Sequence, residues 1–335
     1  MLLRISHETK LSYTAPVSET VFEVRMAPAT DEDQTTLGYR LKTTPGSPVT
    51  SYRDGLGNRV DLFNISKPYE ELVILATSYV RTHRRAAQAR LGTAQGLLAE
   101  GSSSIDAMEF VQPSSLADRT DAIDAFVADL PRPEPGESGA DFLKGLMDAV
   151  AARLKFDSQI TQTKTKASDA LKLGGGVCQD FAHLFIAACR GLGLPARYVS
   201  GYVNHPGELA THAWVQVWGG ERAGWVDVDP TTQKFVADNH VAIGFGRDYS
   251  DVPPNRGLWK GRAEETIAVA VKVEPVDRVP MEWNEWSTPS RPALATGSMF
   301  QSQRTGSMSQ RQGRPPYPNQ RGQHSGLVQQ QGEQQ

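Results

Sequence analysis

A cysteine stands two residues after three consecutive glycines in Gly174-Gly175-Gly176-Val177-Cys178-Gln179-Asp180-Phe181, and an apolar run with helical spacing follows it. Further on come Thr211-His212-Ala213-Trp214-Val215 and Gly224-Trp225-Val226-Asp227-Val228-Asp229-Pro230-Thr231. Cysteine, histidine and aspartate are the parts of a thiol acyl-transfer site: a nucleophile, a proton carrier and a carboxylate that orients the imidazole. The thiolate is the reactive form of such a nucleophile, and helix N-termini and imidazolium neighbours favour it. The glycines would let backbone N–H groups approach a substrate carbonyl. The Cys178 N–H, at the helix start, could then donate to a developing oxyanion.

Asp227 and Asp229 are both candidates to orient His212. A four-residue loop over 219–222 would pair Trp218 with residue 223. That register sets His212 opposite Asp229 and Trp214 opposite Asp227. Opposite side chains lie about 5 Å apart at Cβ, so Asp229 is preferred. A slip of one pair would move the assignment by two residues.

Six more residues are candidates to line the cleft or support the site: Gln179, Asp180, His183, Trp214, Asp248 and Tyr249. Each has a plainer reading. A histidine five residues into a helix is more often a packing or hydrogen-bonding residue. Trp214, Trp218 and Trp225 read first as sheet packing. Asp248-Tyr249 reads equally as a structural turn. Cys189 reads as a small buried hydrophobe, and Asp31-Glu32-Asp33 as a solvated loop. His205, His212 and His240 lack metal-ligand spacing, so no metal and no cofactor is expected.

These residues need elements to position them. Residues 1–80 show short alternating runs separated by Pro45-Gly46-Ser47-Pro48 and Asp54-Gly55-Leu56-Gly57-Asn58, which predicts a β-sandwich-like N-terminal domain. Its strands are expected at 7–13, 21–26, 38–44, 49–53, 58–65 and 71–80. Residues 81–155 read as helical, with 122–130 and 141–154 the clearest helices. A core over 156–280 follows. Its cysteine helix ends at Gly191-Leu192-Gly193-Leu194-Pro195, and strands are expected at 197–203, 212–218, 225–229 and 266–273. A helix on an antiparallel sheet makes this an α+β fold. Residues 281–335, with eleven glutamines from Gln301 on, form a low-complexity tail expected to be disordered.

Composition narrows the function classes. The net charge is −3, and four arginines against one glutamate from Thr296 on leave the body at −6, which argues against a general nucleic-acid binder. No apolar run reaches the ~20 residues of a membrane span. The first residues, Met1 to Glu8, turn polar too soon for a secretion signal. Cys178 and Cys189 would lie about 16 Å apart on one helix, too far for a disulfide. A cytoplasmic protein acting on a peptide or protein is expected, with no nucleic-acid or membrane partner.

The chain resembles the transglutaminase-like superfamily of papain-related cysteine enzymes, in its bacterial branch with an N-terminal β domain. The resemblance is carried by the runs 176–184, 193–202, 211–215, 224–231 and 246–254, with Arg256-Gly257, and extends over roughly residues 1–275. It implies Cys178 as nucleophile, His212 as base and Asp229 as orienting carboxylate. It also implies a cysteine protease or amidase, with a protein-glutamine cross-linker as the alternative. From another class, a peptide-binding module could use the same cleft without turnover. No carboxylate array like an EF-hand loop supports calcium dependence.

Overall fold

The computed structural model describes residues 1–284, apart from 85, 87, 88, 102–104 and 206–209, together with the two-residue strand Leu327–Val328. Apolar and polar residues alternate from Leu3 onward, and the chain stays extended over Leu2–Val24 as one strand, β1. The expected strands at 7–13 and 21–26 are thus parts of one. The turn-like residues between them are absorbed as irregularities at Ser12/Val17 and Ser18/Val21. Such bulges bend a strand without ending it.

β1 therefore serves two sheets. Its first half pairs with β5 (Tyr69–Thr82), which in turn pairs with β2 (Gln34–Thr44). Its second half pairs with β4 (Arg59–Ile65), which pairs with β3 (Val49–Arg53). Leu11, Phe22, Phe63, Leu72 and Ile74 fill the space between them. The Phe22 and Phe63 rings stack at 5.6 Å.

The second layer set is helices on a sheet. Helices α1 (Ala94–Gly101), α2 (Asp121–Ala128), α3 (Gly139–Ala151), α4 (Ala167–Leu173) and α5 (Cys178–Gly191) surround a core that includes Phe142, Leu146 and Phe185. A two-residue parallel pair, β6 (Lys155–Phe156) with β7 (Gly175–Gly176), anchors the approach to α5. Strands β8 (Ala196–Val203), β9 (Thr211–Trp218), β10 (Trp225–Asp229), β11 (Lys234–Phe235) and β12 (His240–Gly246) form an antiparallel sheet in the order β11-β10-β9-β8-β12. α5 lies between this sheet and helices α2 to α4, with every residue from Gln179 to Arg190 buried. The guanidinium of Arg190 is buried too, and donates to the carbonyls of Phe110, Ala196 and Arg247. It thereby ties the helix end to a short 3-10 helix, to the start of β8 and to the loop after β12.

Two boundaries differ from the sequence reading. Strands β13 (Asn255–Lys260) and β14 (Glu265–Pro275) fall within the core expected over 156–280. Instead they return to the N-terminal sheets and pair with the two halves of β1. Antiparallel pairing with a distant partner leaves no mark on local periodicity, so the sequence could not show it. The expected tail over 281–335 lies largely outside the described residues. Within it, Met281–Asn284 form a short helix, α6, and Leu327–Val328 pair with β13. Trp283 is buried against Gly38 and the Tyr79 ring, with the Arg40 guanidinium over its face at 4.5 Å.

Candidate active site

Gly174 caps α4 in the left-handed conformation, at φ 71°. A Cβ on Gly176 would overlap the Asp180 carboxylate. That carboxylate accepts from the Val177 N–H at 2.8 Å and the Thr161 hydroxyl at 2.7 Å. The glycines thus serve the chain's sharp entry into α5, with Asp180 as its cap. Asp180 shapes the cysteine's backbone and does not line the cleft. Cys178, half-buried, takes the first position of the helix. There its N–H has no acceptor within the helix.

His212, near the start of β9, lies between Cys178 and Asp229. Its Nε2 is 3.0 Å from the Asp229 carboxylate, and the ring lies close enough to Cys178 for the thiol to favour its charged form. Asp229 is 1% exposed and also accepts from the Thr231 N–H at 2.9 Å and the Thr232 hydroxyl at 2.7 Å. Thr231 and Thr232 come just after Pro230, so the sharp turn there sets the carboxylate's orientation. Sequence reasoning missed Thr232. A hydroxyl three residues past the aspartate was the available signal.

The preferred aspartate is the one in contact, but the expected register is not the one observed. Trp218 pairs with Trp225, and Gln216 with Asp227. The loop is therefore 219–224, two residues longer than expected, with the Gly219 N–H donating to the Gly224 carbonyl. By continuation Asp229 lies across from Trp214, and His212 reaches it diagonally. Diagonal neighbours in a twisted sheet stay within reach of long side chains. Asp227 is also buried, but its carboxylate is occupied by Trp214 Nε1 at 2.7 Å, Gln216 Nε2 at 3.1 Å and the Arg84 guanidinium at 2.9 Å.

The remaining candidates divide by position. Gln179 and Tyr249 line the cleft, and the Gln179 amide donates to the Thr163 carbonyl at 3.0 Å. His183 is fully buried, and its Nε2 accepts from the Tyr249 N–H at 3.2 Å, so it holds a cleft residue by its backbone. Trp214 is fully buried behind the site, stacked on His212 at 6.3 Å and edge-on to His240 at 5.3 Å. Asp248 accepts from the Leu116 and Ser250 N–H groups, both at 2.8 Å. It is the structural turn, with Tyr249 carried into the cleft beside it.

His240 is a second residue that sequence reasoning did not join to Asp229. Its Nε2 is 3.9 Å from the Asp229 carboxylate. His212, Asp229 and His240 present ligand atoms within 4.8 Å of one another. Two imidazoles and a carboxylate are donors that zinc accepts. A cation there would have to take the Asp229 oxygen that His212 now uses, so it would compete with the His212–Asp229 hydrogen bond. The trio His205, His212 and His240 considered from sequence lacked the aspartate, and so carried no such spacing.

Electrostatics separate the histidines. Burial alone would lower the His212 pKa. The Asp229 hydrogen bond and the Cys178 contact outweigh it and raise the value from 6.5 to about 10. Burial would likewise raise the Asp229 carboxyl, but the His212 hydrogen bond, the nearby His240 imidazole and the Thr232 hydroxyl hold it well below the usual carboxylate range. His7 and His183 are lowered to about 4 by burial. A raised folded-state value means that His212 stabilises the fold fully below pH 6.5, and that this is lost as pH rises through about 10. The lowered values of His7 and His183 act oppositely: their contribution is present above pH 6.5 and lost as pH falls through about 4. NMR titration of ring-labelled histidine should find His212 charged and His7 and His183 neutral at about pH 7.5. A neutral His212 at that pH would contradict the arrangement.

Cys178 and His212 open on a cleft of about 530 Å³ between the two layer sets, with Asp229 buried behind His212. One wall is Tyr198, Tyr202, Thr211 and His212 from the core sheet. The facing wall is Ile267, Val269 and Val271 from β14, with His7 from β1. The His7 imidazole meets the Tyr202 hydroxyl at 2.8 Å and links the walls. Arg84 does the same elsewhere, bridging Asp227 to Asp33 at 3.8 Å. Asp33 is therefore a buried ion-pair partner and not part of a solvated loop.

Comparison with known proteins agrees with this architecture. Residues 125–230 match the transglutaminase-like superfamily, and residues 3–81 match the bacterial transglutaminase-like N-terminal region. The chain is 32% identical over 286 residues to an uncharacterized protein of Mycobacterium leprae (strain TN), covering 81% of this chain and 98% of that protein. It is 31% identical over 301 residues to an uncharacterized protein of Mycobacterium tuberculosis (strain ATCC 25618 / H37Rv), covering 82% and 93%. Its fold is like that of a solved structure from Cytophaga hutchinsonii, described as a candidate cysteine protease. The TM-score is 0.67 at 23% identity, with 84% of this chain and 93% of that one covered. By these matches the chain belongs to the transglutaminase-like superfamily, with the bacterial transglutaminase-like N-terminal region ahead of its core.

Proposed function

We propose that the protein is a thiol-dependent amide hydrolase acting on peptides, with Cys178 as nucleophile, His212 as proton carrier and Asp229 as orienting carboxylate. The observation that carries this reading is the His212 imidazole, hydrogen-bonded to the buried Asp229 and lining one cleft together with Cys178. The thiol proton passes to His212 as Cys178 Sγ attacks the amide carbonyl, and the oxyanion accepts a hydrogen bond from the Cys178 N–H. The C–N bond breaks, the leaving amine takes its proton from His212, and a thioester remains. Water then attacks the thioester and gives a proton to His212; the C–S bond breaks, the carboxylic acid leaves, and the sulfur is freed as thiolate beside the imidazolium.

Water is the preferred acceptor. Among the described residues, the cleft is lined by no aspartate or glutamate that would attract a lysine ammonium. β14 supports an extended donor: among the described residues it pairs with β1 alone, so its outer edge is open to another strand beside the cleft. A cytoplasmic location belongs to the same reading, supported by the two unbridged cysteines. Cross-linking of protein glutamines is the runner-up, and a non-catalytic peptide-binding module comes after it.

The test is a peptide panel incubated with and without an added primary amine. Product masses would be followed for cleavage, ammonia release and amine incorporation. Hydrolysis predicts shortened peptides or deamidated side chains whether or not the amine is present. Amine incorporation as the main product would replace the hydrolytic reading with the cross-linking one. Binding without any product would leave the binding module.

A further inference from the structure

A second pocket of about 310 Å³ adjoins the cleft and shares Thr163 and Tyr249 with it. Its charged lining is Lys164, Lys166 and Arg256, with no acidic side chain among the described residues. This is the reverse of the chain as a whole, which is net negative. All three cations are exposed, and neither lysine has a carboxylate within ion-pair distance among the described residues. Arg256 spends one N–H on the Ser250 carbonyl, at 2.8 Å. The pocket also holds Asn255, only 4% exposed, whose amide nitrogen is buried with no hydrogen-bond partner among the described residues. A buried donor without an acceptor is unfavourable, and a well-placed anion would relieve it.

Resting on the peptide-hydrolase reading, we propose that this pocket binds a carboxylate of the substrate peptide, and so directs Cys178 to amide bonds near an acidic group. Apart from the catalytic histidine and thiol, the cleft beside it is lined by neutral groups, so the preference for an acidic peptide would reside in this pocket. The shared residues, Thr163 and Tyr249, make the two spaces continuous. A chain lying over Tyr249 reaches both. The carboxylate is either an acidic side chain or a chain terminus, since both offer the same two oxygens to lysine, arginine and amide donors.

Binding is measured on the full-length Cys178→Ala protein, which cannot turn the ligand over. Three peptides share one neutral body: one has a free C-terminal carboxylate, one an amidated terminus and an internal glutamate, and one is amidated and neutral. At low salt, at least one acidic peptide should bind about tenfold more tightly than the neutral one. The preference should shrink as salt is raised, and disappear when Lys164→Gln, Lys166→Gln and Arg256→Gln are combined. These positions are exposed, so the fold should survive, as checked by thermal melting. Which acidic peptide is preferred identifies the source of the carboxylate. Equal affinity for all three peptides, measurable or not, overturns the proposal. So does stronger competition by inorganic phosphate than by acetate, which would give the pocket to a phosphoryl group. Turnover by the unsubstituted protein is recorded separately. Cleavage without acidic preference removes the pocket's role and leaves the hydrolase; acidic preference without cleavage removes the hydrolase and leaves the pocket.

Discussion

Cys178→Ala is expected to abolish peptide turnover while leaving the melting temperature within a few degrees of the unsubstituted protein. No other side chain in the described cleft can replace the thiol: the second cysteine, Cys189, is fully buried in the same helix, and burial raises its thiol pKa. Loss of the nucleophile in a site of this kind costs on the order of 10⁶ in kcat. The fold should tolerate the change because Cys178 is only half-buried, at a helix start whose cap is Asp180 and not the cysteine. Alanine is also a good helix former. The measurement is initial rate against enzyme concentration for both proteins, beside a melting curve. Turnover by the alanine variant within tenfold of the original would end the thiol mechanism. A collapsed melting temperature would instead mean that the lost activity reported on folding.

Asp229→Asn and Asp227→Asn are expected to fail differently. In the first, the new amide would still accept one hydrogen bond, but would no longer hold a protonated imidazole by charge. By the precedent of a serine triad, the loss in kcat is near ~10⁴. The raised His212 pKa should fall as well, because Asp229 is its leading stabilising partner. The loss of activity should therefore come with a shifted histidine titration. Asp227→Asn leaves the buried Arg84 short of its nearest carboxylate. Breaking a buried pair from one side costs about 3–5 kcal/mol. Asp33, at 3.8 Å from Arg84, offsets part of that. This variant should thus lose melting temperature and keep most of its turnover when assayed well below that temperature. The reverse pattern, with Asp227→Asn the more damaging to kcat in a stable protein, would exchange the roles of the two aspartates.

The adjacency of these two aspartates shows where sequence reasoning ran short. Alternation along 212–218 and 225–229 marked two strands, and the hairpin between them followed. The length of its turn did not follow, because Gly219 and Gly224 each tolerate several conformations and the Gly219–Gly224 hydrogen bond exists only in the closed loop. The register came out two residues from expectation, and the right aspartate emerged because a diagonal contact replaced a direct one. The sequence suggested that the glycines before Cys178 open the backbone to substrate, but they do not line the cleft, and Gly175 and Gly176 are buried. Their structural requirement was not legible there: it is the turn from α4 into α5 and the space taken by the Asp180 carboxylate.

By itself the sequence determined the thiol-bearing helix, the strand that carries His212, the hairpin with its two aspartates, and the β-rich N-terminal region. All of these rest on spacing between near neighbours in the chain, where helical and strand periodicities and capping residues are directly visible. Only the tertiary structure decided that β14, at the far end of the described fold, would pair with β1 and form the wall facing His212. Only it brought Lys164 and Lys166 beside Asn255 and Arg256, and His240 beside Asp229. The physical reason is that such contacts are chosen by the packing of complementary surfaces, and in the chain each partner looks like an ordinary loop or strand residue.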